Sequence, residues 1–166
     1  MSNFNFEKNK RLLSAQSFQS VFENTDFKIS NSNFLLLAHQ NRLKHARLGM
    51  IVAKKHIRLS VGRNRIKRVI RSSFRLNQQN LAALDIIFLV RKGMNKLSFK
   101  DQSKSISLGL DQLKNKIIKV IIIVLIVKFF EKVLKLSYNF TTPNDLLLFS
   151  ISILSICIGY YLINRK

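Results

Sequence analysis

Between Asp26 and Asp85 the chain has no acidic residue, yet that stretch carries thirteen lysines and arginines. Charge of one sign at this density repels itself, so a compact fold must turn it toward something that neutralises it. The density peaks at Lys54-Lys55 and in the run GRNRIKRVIRSSFR from Gly62 to Arg75. Across 166 residues there are 29 Lys and Arg against 8 Asp and Glu, a net charge of +21. The excess is uneven: residues 1–116 hold 23 basic and 6 acidic side chains, a net of +17, whereas 117–166 hold 6 and 2, a net of +4. The expected organisation is a basic domain over 1–116 followed by a hydrophobic extension over 117–166. The partners that such charge implies are nucleic acid, an anionic membrane surface or an acidic protein.

Local patterning orders the first part. Ser14 can cap a helix running to about Glu23, with Phe18, Val21 and Phe22 on one face. An extended segment follows at Phe27 to Ile29. NFLLLAH (Asn33 to His39) and RLGMIVAK (Arg47 to Lys54) read as strands, separated by a polar turn. A helix is expected from Ser60 to Asn77. Arg63, Lys67, Arg71, Asn64, Arg75 and Arg68 share one arc of it, roughly 140° wide, opposite Ile66, Val69 and Ile70. LDIIFLV (Leu84 to Val90) is apolar at nearly every position, as a strand covered on both faces should be. Ser98 to about Lys116 reads as a last amphipathic helix, with Ile106, Leu110 and Leu113 at helical spacing and Ser98 as its cap. The order αβββαβα predicts an α+β fold, an α/β sandwich whose central mixed sheet of about four strands is packed by helices.

From Ile117 the composition changes. IIKVIIIVLIVKFF is apolar apart from Lys119 and Lys128, and Leu146 to Ile163 is eighteen residues without a charge. One or two apolar helices are expected here, each a candidate membrane segment. As a helix the second is roughly 27 Å long, slightly less than a ~30 Å hydrocarbon core. The first would have to snorkel both lysines.

The residues for catalysis are missing. His39, His45 and His56 have no neighbouring carboxylate in the sequence, and the acids of 1–116 are scattered without a pairing suited to general acid/base work. There is no phosphate-cradling glycine loop and no metal-ligand cluster, and the single Cys157 excludes a disulfide framework or zinc pair. No small-molecule substrate is indicated. The basic helix reads differently from an ordinary solvated face, which interleaves Glu with Lys. Six of the nine basic residues from Lys54 to Arg75 are arginines, the side chain that grips phosphate oxygens bidentately. Asn64 adds a neutral donor and acceptor for a sugar or base edge. Phe18 and Phe22 read as core or as stacking platforms for single-stranded bases.

RLLSAQSFQSVF, RLGMIVAKKHIRLSVGRNRIKRVIRSSFR and LDIIFLVRKG, in that order and spacing, resemble the protein component of bacterial ribonuclease P. The likeness runs from about Lys10 to Lys116. It implies a left-handed β-α-β crossover, and a protein subunit of an endoribonuclease holoenzyme in which a catalytic RNA removes the 5′ leader of precursor tRNA. The chain itself would hold no catalytic residue and no cofactor, and the holoenzyme would require Mg2+. The implied partners are the ribonuclease P RNA, met by Arg63, Asn64, Arg65, Lys67, Arg68 and Arg71, and precursor tRNA. Its leader would lie in a cleft lined by Phe18, Phe22 and the strand face near Lys54 and Lys55. Ser72-Ser73 departs from the family, which often has an acid there, and 117–166 has no counterpart in it. The N-terminal MSNFNFEKNK lacks the apolar core of a secretory signal, so the expected location is the cytoplasm, with membrane contact through 117–166. The alternative is a basic, membrane-anchored or ribosome-associated nucleic-acid-binding protein without a role in tRNA processing.

Overall fold

The computed structural model describes residues 6–137 apart from residue 82, and scattered positions between 147 and 161. The chain divides into two compact units, Met1–Ile117 and Ile118–Lys166. In the first, the elements follow in the order α1 (Ala15–Glu23), β1 (Phe27–Ser30), β2 (Phe34–Gln40), β3 (Arg47–Ile51), α2 (Ser60–Asn77), β4 (Leu84–Val90) and α3, which begins at Phe99. Caps mark the starts. The Ser14 hydroxyl accepts from the Ser17 amide at 3.1 Å, and Ser98 Oγ accepts from the Asp101 amide at 3.2 Å. Each satisfies a first-turn N–H that the helix leaves unpaired.

The four strands form one mixed sheet in the order β1-β2-β4-β3. β1 pairs antiparallel with β2, and β2 antiparallel with β4. β3 pairs parallel with β4, Gly49 opposite Ile87, and α2 carries the chain between them. Strand alternation sorts the side chains into two layers. Phe34, Leu36, Leu48, Ile86 and Phe88 point to one face, where they are buried with Ile66, Ile70 and Phe74 of α2 and Ile106, Leu110 and Leu113 of α3. On the other face Leu37 and Ile87 pack with Leu12 and with Val21 of α1. β4 is thus covered on both sides, which is why it reads as an unbroken apolar run.

Two boundaries differ from the sequence expectation. β3 stops at Ile51 rather than Lys54, its last register partner on β4 being Leu89. The Ala53 carbonyl then accepts from His56 N and Ile57 N at 3.0 and 3.2 Å, closing a turn that holds Lys54 and Lys55. The last helix does not end near Lys116 but runs from Phe99 to Ser137. Nothing between Ile117 and Ser137 breaks a helix, since no Gly or Pro occurs there. A Lys135–Glu131 pair at 2.8 Å supports the last turns.

The first expected membrane segment is corrected as a span: among the described residues no helix is long and apolar enough to cross a membrane. Lys119, Lys128, Glu131 and Lys132 interrupt the apolar run. In the second unit Ile121, Leu125 and Val127 of α3 are exposed. The second segment, 146–163, lies partly outside the described residues.

Candidate nucleic-acid interface

The basic helix takes its orientation from its apolar positions. Ile66, Val69, Ile70 and Phe74 of α2 are buried, as is the small Ser73 between them. Burying such side chains stabilises by roughly 1.5–3 kcal/mol each, enough to lock the helix's rotation. Asn64, Arg65, Arg68 and Arg71 then face solvent. Arg63 and Lys67 are only half-exposed, because Phe74 falls between them on the helical projection and draws that edge toward the core.

Arg63 is also tied down. Its Nη1 donates to the carbonyls of Ile57 and Arg58 at 3.1 and 2.6 Å, fastening the loop that enters the helix. Arg65, outside the arc expected from spacing, lies at the opposite edge with its guanidinium 4.6 Å from the ring centre of Phe99. Among the described residues, Arg65, Arg68 and Arg71 form no ion pair.

The acids that bracket the acid-free run are both occupied elsewhere. Asp85, buried on β4, receives Arg47 Nε at 2.7 Å on Oδ1 and Arg47 Nη2 on Oδ2, and Asn41 Nδ2 at 2.7 Å. The hydrogen bond to Asp85 raises the guanidinium of Arg47 above its ordinary pKa; burial opposes this and the opposite charge adds to it. Asp26 Oδ2 lies 2.9 Å from His39 Nδ1 and accepts the Gln40 amide at 2.8 Å. The expectation that no carboxylate orients His39 is therefore corrected: thirteen residues separate the two in sequence, and β1–β2 pairing brings them together.

The aromatic pair divides. Phe18 is half-buried and packs on the second sheet face with Leu35, Ile51 and Leu89. It lies over Gly49, where an added Cβ would stand 2.7 Å from its ring, so only glycine admits the ring so close to β3. Phe22, one helical turn on, is 45 % exposed. The half-buried Leu35, Ile51 and Leu89 beside Phe18 form an apolar strip that spacing did not single out. Alternation along β2 and β4, which puts them on the face of Leu37 and Ile87, is the signal that could have found them.

Lys54 and Lys55 lie exposed in the turn beyond β3, not on a strand face. Lys55 lines a hollow of about 440 Å³ at the start of α2 with Arg58, Lys92 and Lys96. The last two belong to the link between β4 and α3, and the sequence reading passed over them. Within that link Gly93 lets the backbone approach the turn between β1 and β2; a Cβ there would meet the Ser32 carbonyl at 2.5 Å.

A larger groove of about 640 Å³ runs between α2 and the first turn of α3. Among the described residues, no three His, Cys, Asp or Glu side chains come together to hold a metal ion. The magnesium that the resemblance implies is a requirement of the RNA-protein holoenzyme, with none expected on this chain alone. What this surface can do chemically is bind a polyanion: guanidinium forks without acids on one helix, and an apolar strip with an exposed phenylalanine on the other side of the sheet.

Comparison with known proteins agrees with this geometry. The family model described as Ribonuclease P matches residues 6–114. A protein of Pseudomonas putida strain GB-1 called ribonuclease P protein component is 48% identical over 92 residues, which cover 55% of this chain and 69% of that one. A protein of the same name from Azotobacter vinelandii is 50% identical over 92 residues, 55% of this chain and 71% of that one. Among solved structures, the RNase P protein of Staphylococcus aureus superposes with a TM-score of 0.59 at 28% identity, over 63% of this chain and 95% of that one. That of Thermotoga maritima gives 0.52 at 26% identity, over 62% and 93%.

Proposed function

We propose, from the premise that this chain belongs to the ribonuclease P family, a division of labour between its two sheet faces in the maturation of precursor tRNA. The chain is the protein subunit of an endoribonuclease holoenzyme, a ribonucleoprotein whose RNA carries the chemistry. RNA binding is assigned to residues 1–116, acting in the cytoplasm. Arg65, Arg68 and Arg71, with Arg63 and Lys67 at the edge, meet phosphates of the ribonuclease P RNA, and Asn64 reads a sugar or base edge. Phe22 and Phe18, above the strip of Leu35, Ile51 and Leu89, receive the single-stranded 5′ leader of precursor tRNA. Lys54 and Lys55 neutralise phosphates as the strand leaves the sheet.

The observation that carries this reading is the acid-free exposed face of α2, held outward by the burial of Ile66, Val69, Ile70 and Phe74. Each phosphate neutralised releases counterions, so binding weakens with salt at a slope of roughly −0.7 to −0.9 per contact. What these side chains supply is binding and orientation of RNA.

Reconstitution with a bacterial ribonuclease P RNA tests the proposal. The expected result is 5′-leader cleavage restored at low magnesium by adding the chain, with a steep salt dependence of binding. Cleavage by the chain alone, or affinity insensitive to salt, would overturn it.

A further inference from the structure

The groove between α2 and α3 differs from the rest of the basic surface in having an apolar floor. Val61 and Val69 of α2 line it with Phe99, and Asn64, Arg65 and Arg68 form its rim. Phe99 opens α3 and is 52% exposed, although phenylalanine is among the side chains most often buried. The guanidinium carbon of Arg65 sits over that ring, 4.6 Å from its centre. The acid closest in sequence, Asp101, accepts the Ser98 hydroxyl at 2.6 Å, and among the described residues neither Arg65 nor Arg68 forms an ion pair.

A phosphate alone needs no apolar floor, and an acidic peptide offers no flat ring. A nucleobase within a polyanion offers both: a π-face to stack on Phe99 or on the guanidinium plane of Arg65, and flanking phosphates for Arg68. Asn64 carries the donor and acceptor that a base edge requires. The volume, about 640 Å³, is within the range of small-molecule sites and admits a base.

We infer that this groove receives one unstacked base of the ribonuclease P RNA, with Phe99 as the stacking platform and Asn64 at the base edge. The inference rests on the reading that α2 docks on that RNA, and adds through Phe99 a contact that is neither to a phosphate nor made by the basic motif. It makes the interface partly independent of salt, since stacking releases no counterions.

The test measures affinity of the full chain for a bacterial ribonuclease P RNA over a salt series, for the unaltered protein, Phe99→Leu, Phe99→Tyr and Arg68→Ala. Phe99→Leu keeps the apolar bulk of an exposed position and is expected to fold. It should weaken binding about 5- to 150-fold, the span measured for loss of one stacked base, while the slope against log salt stays unchanged. Phe99→Tyr, still aromatic, should bind as the unaltered chain does. Arg68→Ala should instead flatten the slope. Unchanged affinity in Phe99→Leu, or failure of Phe99→Tyr to restore it, overturns the base contact alone. Absence of binding by the unaltered chain overturns the α2 docking on which it rests.

Discussion

Arginine is put to opposite uses on β3 and on α2. Arg47 turns into the second sheet face and is matched by the buried Asp85, which is 6% exposed. Arg68 and Arg71, on a helix packed against the other face, turn outward and meet no acid among the described residues. The difference teaches how the chain allocates few carboxylates. Asp26 and Asp85, the two that bound the acid-free run, are both drawn into strand-end contacts that organise the sheet. The helix is left to be neutralised from outside. Charge is closed within the molecule on β3 and left open on α2.

Removing one partner of the internal pair should have the largest effect. Arg47→Ala strands the Asp85 carboxylate in the sheet and should lower stability by roughly 3 kcal/mol, the low end for a buried charge losing its partner. Denaturant unfolding would show it; a loss under 1 kcal/mol would mean that Asn41 and solvent suffice for Asp85.

The aromatic pair sharpens the contrast between packing and binding. Phe22→Ala should cost about 1–3 kcal/mol in affinity for leader-bearing precursor tRNA, little for mature tRNA, and little in stability. Phe18→Ala should weaken the leader as well but also destabilise the fold, because its ring packs over Gly49. Equal behaviour of the two variants in both measurements would erase the division between a seated ring and an exposed one.

The smallest effect on folding is expected on α2. Arg68→Ala should change stability by no more than about 0.5 kcal/mol, yet reduce the salt slope of RNA binding by about 0.7–0.9. A destabilised Arg68→Ala would show that this arginine too is closed within the molecule, and the comparison with Arg47 would fail.

The element order, the double cover of β4, the capped starts at Ser14 and Ser98 and the apolar and basic sides of α2 were legible in the residues alone. Each rests on a local cause: a strand's period of two, a helix's 3.6 residues per turn, or a hydroxyl three positions ahead of an amide. The motif positions of α2 came instead from the family resemblance, with Arg65 lying outside the arc that helical spacing gave. What spacing could not show was how far the burial of Phe74 would rotate that helix, drawing Arg63 to the backbone of Ile57 and Arg58 and leaving Arg65 for Phe99.

Only the tertiary structure paired Asp85 with Arg47 across 38 positions and His39 with Asp26, laid Phe18 over Gly49, and set Lys92 and Lys96 beside Lys55. It also carried α3 past Lys116 to Ser137, where a change in composition had suggested a boundary. These contacts join segments far apart in the chain. Which of them form is decided by strand register and by competition for the buried faces, so no single stretch of sequence contains the answer.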